Sequence, residues 1–178
     1  ILSTLPQVYA AGTDDFFSFE LKNGSEPKLM FGYNNKEVTE VVFWNEGRVP
    51  KDQWVHLALV HDTLNQTVSC YHNGELKESK TFTFVPDSST IESYVALAGD
   101  RATANARAFT GILGDVAVYS DVRNAADVRS DYNFGADVSD ENLMLYYQIS
   151  ADKQEKDIED LSGNGYDMNY NRVFLTEE

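Results

Sequence analysis

Cysteine, basic residues and long apolar runs are the scarcest features of this 178-residue sequence. The single cysteine, Cys70, excludes a disulfide within the chain. No run approaches the ~18 consecutive apolar residues that a membrane-spanning helix requires, so we expect no membrane insertion. Lys and Arg number 14 against 29 Asp and Glu, which gives a formal net charge of −15. Because such a surface repels phosphates and anionic lipids, we expect no nucleic-acid partner.

The sequence also lacks the motifs of common catalytic sites. It contains no H-E-x-x-H, C-x-x-C, P-loop, G-x-G-x-x-G or G-x-S-x-G pattern. Glycoside hydrolases need two carboxylates at a fixed separation, and the nearest run here, Asp157-Ile158-Glu159-Asp160, precedes a turn. We interpret His56, His61 and His72 as core or surface residues rather than metal ligands. The chain is therefore predicted not to be an enzyme; a glycosidase with its carboxylates in another arrangement is the alternative.

The stretch from Gln53 to Leu76 predicts a β-meander around which the chain is organised. Trp54 to Asp62 is largely apolar on both faces, which favours a strand buried between two layers with Trp54 in the core. Thr67 to His72 alternates and leads into Asn73-Gly74, the dipeptide preferred in a type I′ hairpin turn. We interpret Cys70 as a small buried hydrophobe, and we expect His72 to be exposed beside the turn.

The remaining sequence predicts short strands, turns and one helix. Further strands are expected at 16–21, 28–33, 38–44, 81–85, 94–97, 109–119, 143–149 and 172–175, and residues 1–9 form an edge strand or an entry segment. A helix at 124–132 would place Ala125, Val128 and Tyr132 on one stripe, with Gly135 as its stop signal. This pattern predicts an all-β fold, an antiparallel two-sheet sandwich formed by a single domain, 1–178. Because the chain begins at Ile1 without a signal-peptide pattern, we expect a processed product or an excised domain.

Three motifs, in order, resemble the laminin G-like and pentraxin superfamily. They are the W-V-H-L-A-L-V-H-D strand, the Y-H-N-G-E-L hairpin, and F-T-G-I-L-G-D-V-A-V-Y followed by a short helix. The closing L-M-L-Y-Y-Q-I and D-L-S-G-N-G-Y-D segments are similar to such modules on bacterial surface proteins. The resemblance implies a concanavalin A-like jelly roll of two antiparallel sheets. It also implies a carbohydrate or protein ligand, often with a bound Ca²⁺.

Calcium requires six to eight oxygen ligands, which loops usually supply. The resemblance places Asp14 and Asp15 where pentraxins hold Ca²⁺ and Asp100 where they carry a second acidic cluster. This chain departs from the pentraxin pattern, because nothing acidic follows Asp100 until Asp115. Asp14, Asp15 and Asp100 are therefore candidate ligands for a single Ca²⁺, or turn residues that bond their own backbone. Asp160, Asn164 and Asp167 form an alternative cluster, with the same turn-forming interpretation beside it.

Sugar binding needs aromatic platforms flanked by amides and carboxylates, because sugar C–H faces stack on rings while hydroxyls require polar partners. Tyr33, Asn35, Trp44 and Asn45 have this composition, and we predict them as carbohydrate-binding residues. Core or rim packing is the competing interpretation for Trp44.

These observations predict a non-catalytic, extracellular or cell-surface carbohydrate-binding module, assisted by Ca²⁺ if the ion binds. The alternative is a structural or protein-binding adhesion module of a larger cell-surface protein. The expected partner is accordingly a glycan or a cell-surface protein ligand.

Overall fold

A computed structural model describes residues 2–3, 16–22, 26–33, 37–43, 45–83, 96–97, 112–149 and 157–169. The chain divides into two compact units, Ile1–Thr110 and Gly111–Glu178. Apart from one short helix, the regular structure in the described residues consists of antiparallel strands. The predicted all-β fold is therefore confirmed.

The first unit contains a sheet of five described strands. They are β1 (Leu2–Ser3), β2 (Phe16–Lys22), β3 (Glu26–Tyr33), β4 (Glu37–Val42) and β8 (Ala96–Leu97), arranged in the order β4-β3-β2-β1-β8. Strand β1 pairs with β2 on one side and with β8 on the other, so an edge position for the N-terminal strand is wrong. Because Pro6 follows the two paired residues, no proline interrupts the hydrogen bonds of β1.

The second sheet of this unit is the predicted meander. It contains β5 (Leu57–Asp62), β6 (Thr67–His72) and β7 (Glu75–Thr81), each antiparallel to the next. Asn73 and Gly74 have φ values of 50° and 76°, as a type I′ turn requires, which confirms the predicted hairpin. Among the described strands of this sheet, β6 is central and β5 is an outer strand, with every residue half-buried. The prediction that β5 is buried on both faces is therefore wrong.

The core of the first unit forms where the end of β4 faces the meander. Val41 and Phe43 pack with Val68, Cys70 and Phe82. The backbone N–H of Phe43 donates to the Pro27 carbonyl at 2.8 Å, although β4 itself ends at Val42. Phe82 follows the last residue of β7, so the strand predicted at 81–85 ends at Thr81, and residues 84–85 lie outside the description.

Cys70 is fully buried in this core, as predicted. Burial, followed by the nearby Glu78 carboxylate, raises the pKa of the Cys70 thiol to about 12. Since only the thiolate is a strong nucleophile, Cys70 acts as a packing residue.

The second unit contains a strand pair, a helix and a short two-stranded ladder. Strands β9 (Asp115–Tyr119) and β10 (Leu143–Gln148) pair antiparallel, as do β11 (Asp157–Ile158) and β12 (Met168–Asn169). The predicted strand at 109–119 therefore starts at Asp115; residues 112–114 are not in a strand, and 109–111 are not described. A strand at 172–175 likewise falls outside the description.

The helix of this unit, α1 (Ala125–Phe134), begins where predicted. Asn124 is its N-cap, and the Asn124 and Asp127 side chains form a reciprocal capping box. Gly135, with φ of 79°, ends the helix as predicted. Val128 is buried, but Tyr132 is 44% exposed, so the predicted apolar stripe holds only in part. Within the described ranges, no helix has the length and apolar character needed to cross a membrane.

Candidate functional site

The structure describes some of the predicted site residues and not others. Asp14, Asp15, Asn35, Trp44 and Asp100 lie outside the description, and so does the side chain of Tyr33, whose backbone ends β3 opposite Glu37. Asn45 is exposed at the start of the loop into β5. Asp160, Asn164 and Asp167 lie together in a loop of the second unit. The assignments to undescribed residues stay predictions.

The loop that joins β4 to β5 exposes a large aromatic ring. Trp54 is 68% exposed, so its predicted place in the core is wrong. The hydrogen-bonded strand begins only at Leu57, three residues later, and Trp54 is therefore not held on a buried face of the sheet. Exposed polar residues 51–53 precede it, and Asp52 turns the chain with a φ of 58°.

The backbone just after Trp54 is nevertheless anchored to the sheet. The N–H of His56 donates to Oδ1 of Asn73 at 3.0 Å, and the N–H of Asn73 donates to the carbonyl of His56 at 2.9 Å. These two bonds continue the pairing of β5 with β6 by one step beyond Leu57. Two extended residues span about 7 Å, so Trp54 lies close to this anchored end of the meander.

We define the Trp54 surface as Lys51, Asp52, Gln53, Trp54 and Asn73, all of which are exposed. The set combines one aromatic ring with carboxamide, carboxylate and ammonium groups. This is the composition that a sugar-binding surface requires, since the ring can stack on C–H faces while the polar groups bond hydroxyls.

Gly47 fixes the first half of the same loop against the buried side of β6. Its carbonyl oxygen lies 3.9 Å from Sγ of Cys70 and also accepts a hydrogen bond from the ring of His72. A Cβ at position 47 would meet Cβ of Phe43 at 2.6 Å, which is closer than real Cβ contacts allow. The loop backbone at Gly47 therefore packs closely against the side chain of Phe43.

His72 is buried, with 7% of its surface exposed, so its predicted exposure is wrong. The reason is the loop residue Gly47, which covers the end of the central strand and accepts a bond from the imidazole. Nε2 of His72 is buried and has no hydrogen-bond partner among the described residues. Burial lowers the pKa of His72 below its ordinary value of 6.5, and the charge of Lys77 lowers it further, against the opposing effect of the Gly47 carbonyl.

We expect His72 to make the stability of the first unit depend on pH. Because its folded pKa is depressed, the contribution of neutral His72 to the free energy of unfolding is fully present above pH 6.5. That contribution is lost as pH falls toward the folded pKa. The slope from one such group is at most about 1.4 kcal/mol per pH unit. Urea unfolding of the natural protein and of His72→Gln at pH 7 and pH 5 measures this pH dependence. Both proteins keep His56 and His61, so these residues do not account for a difference between them. The His72→Gln variant should lose less stability on acidification than the natural protein. Equal losses would contradict the expectation.

In the second unit, residues 160–167 form a tightly bonded loop, which we term the Asp160 loop. Oδ1 of Asp160 accepts the backbone N–H groups of Tyr146 and Ser162, each at 3.0 Å. Its Oδ2 accepts the Ser162 hydroxyl at 2.9 Å and the Tyr166 N–H at 3.1 Å. The Asn164 amide donates to the carbonyl of Leu143 at 3.0 Å. The loop is thereby bound to β10.

These contacts determine the chemistry that the Asp160 loop can support. Burial alone would raise the pKa of Asp160, but the hydrogen bonds from Tyr146, Ser162 and Tyr166 outweigh it and hold the pKa below its ordinary value. A calcium ion would have to displace donors from both carboxylate oxygens, and Oδ1 of Asp167 already accepts the N–H of Asp160 at 2.9 Å. The Asp160 oxygens are therefore occupied by donors, and the alternative Ca²⁺ site at Asp160, Asn164 and Asp167 stays a prediction. In the described part of the chain, no three His, Cys, Asp or Glu side chains are grouped as metal ligands.

A charged cluster around Arg123 joins α1 to the neighbouring turn. Its guanidinium pairs with Asp140 at 2.7 Å, Asp131 at 3.3 Å and Asp121 at 3.7 Å. It also lies over the Tyr119 ring, 4.0 Å from the centroid. Because the cation is shared among three carboxylates and a ring, this cluster is a structural crosslink of the second unit.

Sequence reasoning missed the exposure of Trp54, although a signal was present. Pro50, Lys51, Asp52 and Gln53 form a polar run directly before the tryptophan. That run predicts a loop, and a tryptophan at the end of a loop is exposed more readily than one inside a strand. The apolar residues after Trp54 favoured the core assignment instead.

A family model described as the concanavalin A-like lectin/glucanases superfamily matches residues 3–129. The chain belongs to this superfamily. A solved structure from Bacteroides ovatus ATCC 8483, provisionally designated a carbohydrate binding protein, has 17% identity and a TM-score of 0.54. The likeness covers 92% of this chain and 54% of the other, so the superfamily member described here spans about half the length of that relative.

A second solved structure is an S-layer domain-containing protein from Clostridium thermocellum ATCC 27405. It has 11% identity and a TM-score of 0.38, over 69% of this chain and 58% of the other. None of the curated proteins matches the sequence significantly.

Proposed function

We propose that this chain is a non-catalytic carbohydrate-binding module that works outside the cell or at its surface. The observation that carries the proposal is the exposed indole of Trp54, which lies on a polar loop whose backbone is anchored to the meander by Asn73. Because the backbone two residues after Trp54 is anchored, this part of the loop loses little conformational freedom when a sugar stacks on the ring. The ligand's hydroxyls would bond the carboxamides of Gln53 and Asn73.

The superfamily supports the same function. Its description includes lectins and glucanases, both of which bind sugars. The Bacteroides ovatus relative, which shares the fold, carries a provisional carbohydrate-binding designation. Membership alone does not distinguish binding from hydrolysis, because hydrolysis depends on which carboxylates the chain places at the site.

The acidic run Asp157-Ile158-Glu159-Asp160 favours binding over hydrolysis. A glycosidase needs a general acid whose pKa is raised, so that it holds a proton near neutral pH. Asp160 shows the opposite shift, since its pKa is lowered and its oxygens bond four donors. Glu159 beside it is exposed to solvent. Turnover of labelled polysaccharides would revive the glycosidase alternative.

The test of the proposal is a glycan array followed by calorimetry with Trp54→Ala. Losing an indole contact of roughly 100 Å² removes about 2.5 kcal/mol of apolar burial, so affinity should fall by roughly 70-fold. Phe134→Ala is the matched control, because Phe134 is 86% exposed but belongs to the second unit. It should bind like the natural protein. Undiminished binding by Trp54→Ala, or silence on every glycan, would refute the proposal.

The same array can examine a role for calcium. We propose Asp14, Asp15 and Asp100 as ligands of one Ca²⁺, on the basis of the sequence resemblance alone. Glycan binding that disappears with chelator and returns with added Ca²⁺ would support a calcium-assisted lectin. Binding that survives chelator would leave the Trp54 surface sufficient by itself.

A structural or protein-binding adhesion module is the second candidate. It is favoured by the exposed apolar side chains of the second unit, among them Phe134 at 86% and Val138 at 58% exposure. Protein ligands bind through such aromatic and aliphatic side chains. This alternative predicts no glycan binding and no effect of Trp54→Ala.

A further inference from the structure

We propose that the Trp54 surface selects uncharged glycans and rejects those that carry carboxylate or sulfate groups. This inference rests on the proposed carbohydrate function and names the ligand class of the same site. It follows from the charges beside the tryptophan, from the partners of the nearby cations, and from the net charge of the first unit.

The described charges near Trp54 are balanced in number. The loop carries Glu46, Arg48, Lys51 and Asp52, and the start of β7 carries Glu75 and Lys77. Three of these six residues are acidic and three are basic. No excess of positive charge is therefore available in this set to attract an anionic sugar.

Two of the three cations are also engaged with carboxylates. The Arg48 guanidinium pairs at 2.5 Å with Glu26, whose side chain is only 11% exposed. Lys77 pairs with Glu75 at 2.9 Å. An acidic glycan would have to compete with these carboxylates for the two cations. The third cation, Lys51, is adjacent in the sequence to the acidic Asp52.

The first unit adds a repulsive background. Positions 1–110 hold 14 Asp and Glu against 9 Lys and Arg, which gives this unit a formal net charge of −5. At low ionic strength this charge acts well beyond contact distance. A uronate or sulfate group approaching Trp54 therefore meets repulsion, whereas a neutral hydroxyl does not.

The experiment compares neutral and acidic polymers of the same backbone. The probes are a glucan, a mannan and a galactan, each paired with the polyuronate made by oxidising its C6 hydroxymethyl groups. At 20 mM salt, at least one neutral polymer should bind at least tenfold more tightly than its polyuronate. Raising the salt to 500 mM should leave neutral binding unchanged and strengthen acidic binding. Tighter binding of the acidic partner, weakened by salt, would overturn the inference.

A charge-reversal variant locates the effect. Glu75→Lys raises the net charge by two near Trp54, so polyuronate binding at 20 mM salt should improve about threefold while neutral binding stays constant. The matched control is Thr63→Lys with Leu64→Lys, which adds the same charge at the other end of β5, about 20 Å away. Equal gains from both variants would refute a local effect.

The outcomes separate this inference from the function on which it rests. If polyuronates bind as well as neutral polymers and Trp54→Ala abolishes both, only the charge selectivity fails. If no glycan on the array binds, or if Trp54→Ala changes nothing, the carbohydrate function itself fails.

Discussion

Replacing Asp160 with alanine is expected to destabilise the second unit by about 3–5 kcal/mol. The carboxylate accepts three backbone N–H groups and one hydroxyl, and Asp160 is only 5% exposed. Alanine offers no acceptor, so the N–H groups of Tyr146, Ser162 and Tyr166 would lose their partner. Leaving the buried N–H of Tyr146 without an acceptor costs more than that bond itself contributes. The Asp160 loop would then be joined to β10 by fewer bonds, among them those from the Asn164 amide and the Leu161 N–H.

Urea unfolding and limited proteolysis of residues 160–167 measure this loss. Asp167→Ala is the matched control, because exposed Asp167 accepts one bond from the same loop and should cost about 1 kcal/mol or less. Similar losses for both variants would show that the four bonds of Asp160 contribute no more stability than the single bond of Asp167.

Acid should diminish the difference between the natural protein and Asp160→Ala. The folded pKa of Asp160 lies below its ordinary value of 3.8, so the carboxylate's contribution is present above pH 3.8. It is lost as pH falls through the folded pKa, because the unfolded chain then binds the proton more readily. The two proteins should therefore converge in stability below pH 3.8.

The sequence was most informative wherever a structure depends on neighbouring residues. Asn73-Gly74 needed only its own dipeptide chemistry to predict a type I′ turn, and Asn124 and Gly135 mark the two ends of α1. The order of three motifs was sufficient to predict the superfamily that residues 3–129 match. Local signals of this kind do not depend on distant contacts.

The candidate site was less predictable, because it depends on distant contacts. The burial of His72 follows from Gly47, which is 25 positions away and carries no side chain to signal the contact. The exposure of Trp54 follows from the point at which β5 begins, and apolar composition alone placed that point too early. Of the predicted sugar-binding residues, only Asn45 has a described side chain, and it belongs to the same loop as Trp54.

Gly47→Ala is expected to destabilise the first unit by about 2–4 kcal/mol and to weaken glycan binding. The added Cβ would meet Cβ of Phe43 at 2.6 Å and Oε2 of Glu78 at 3.3 Å. Phe43 is fully buried in the core, so it cannot move aside without disturbing Val68 and Cys70. The loop must move instead, which would break the bond between the Gly47 carbonyl and His72.

The identity of the clashing atom makes this prediction specific. Because every residue except glycine has a Cβ, Phe43→Leu cannot relieve the clash, and the double variant should lose at least the stability that the two single variants lose together. Glu46→Ala is the control for the loop, since this exposed neighbour should change stability by less than about 0.5 kcal/mol. Urea unfolding gives the stabilities, and calorimetry with the glycan identified on the array gives the affinity. If Gly47→Ala matches the natural protein in both, the packing of this loop does not position Trp54.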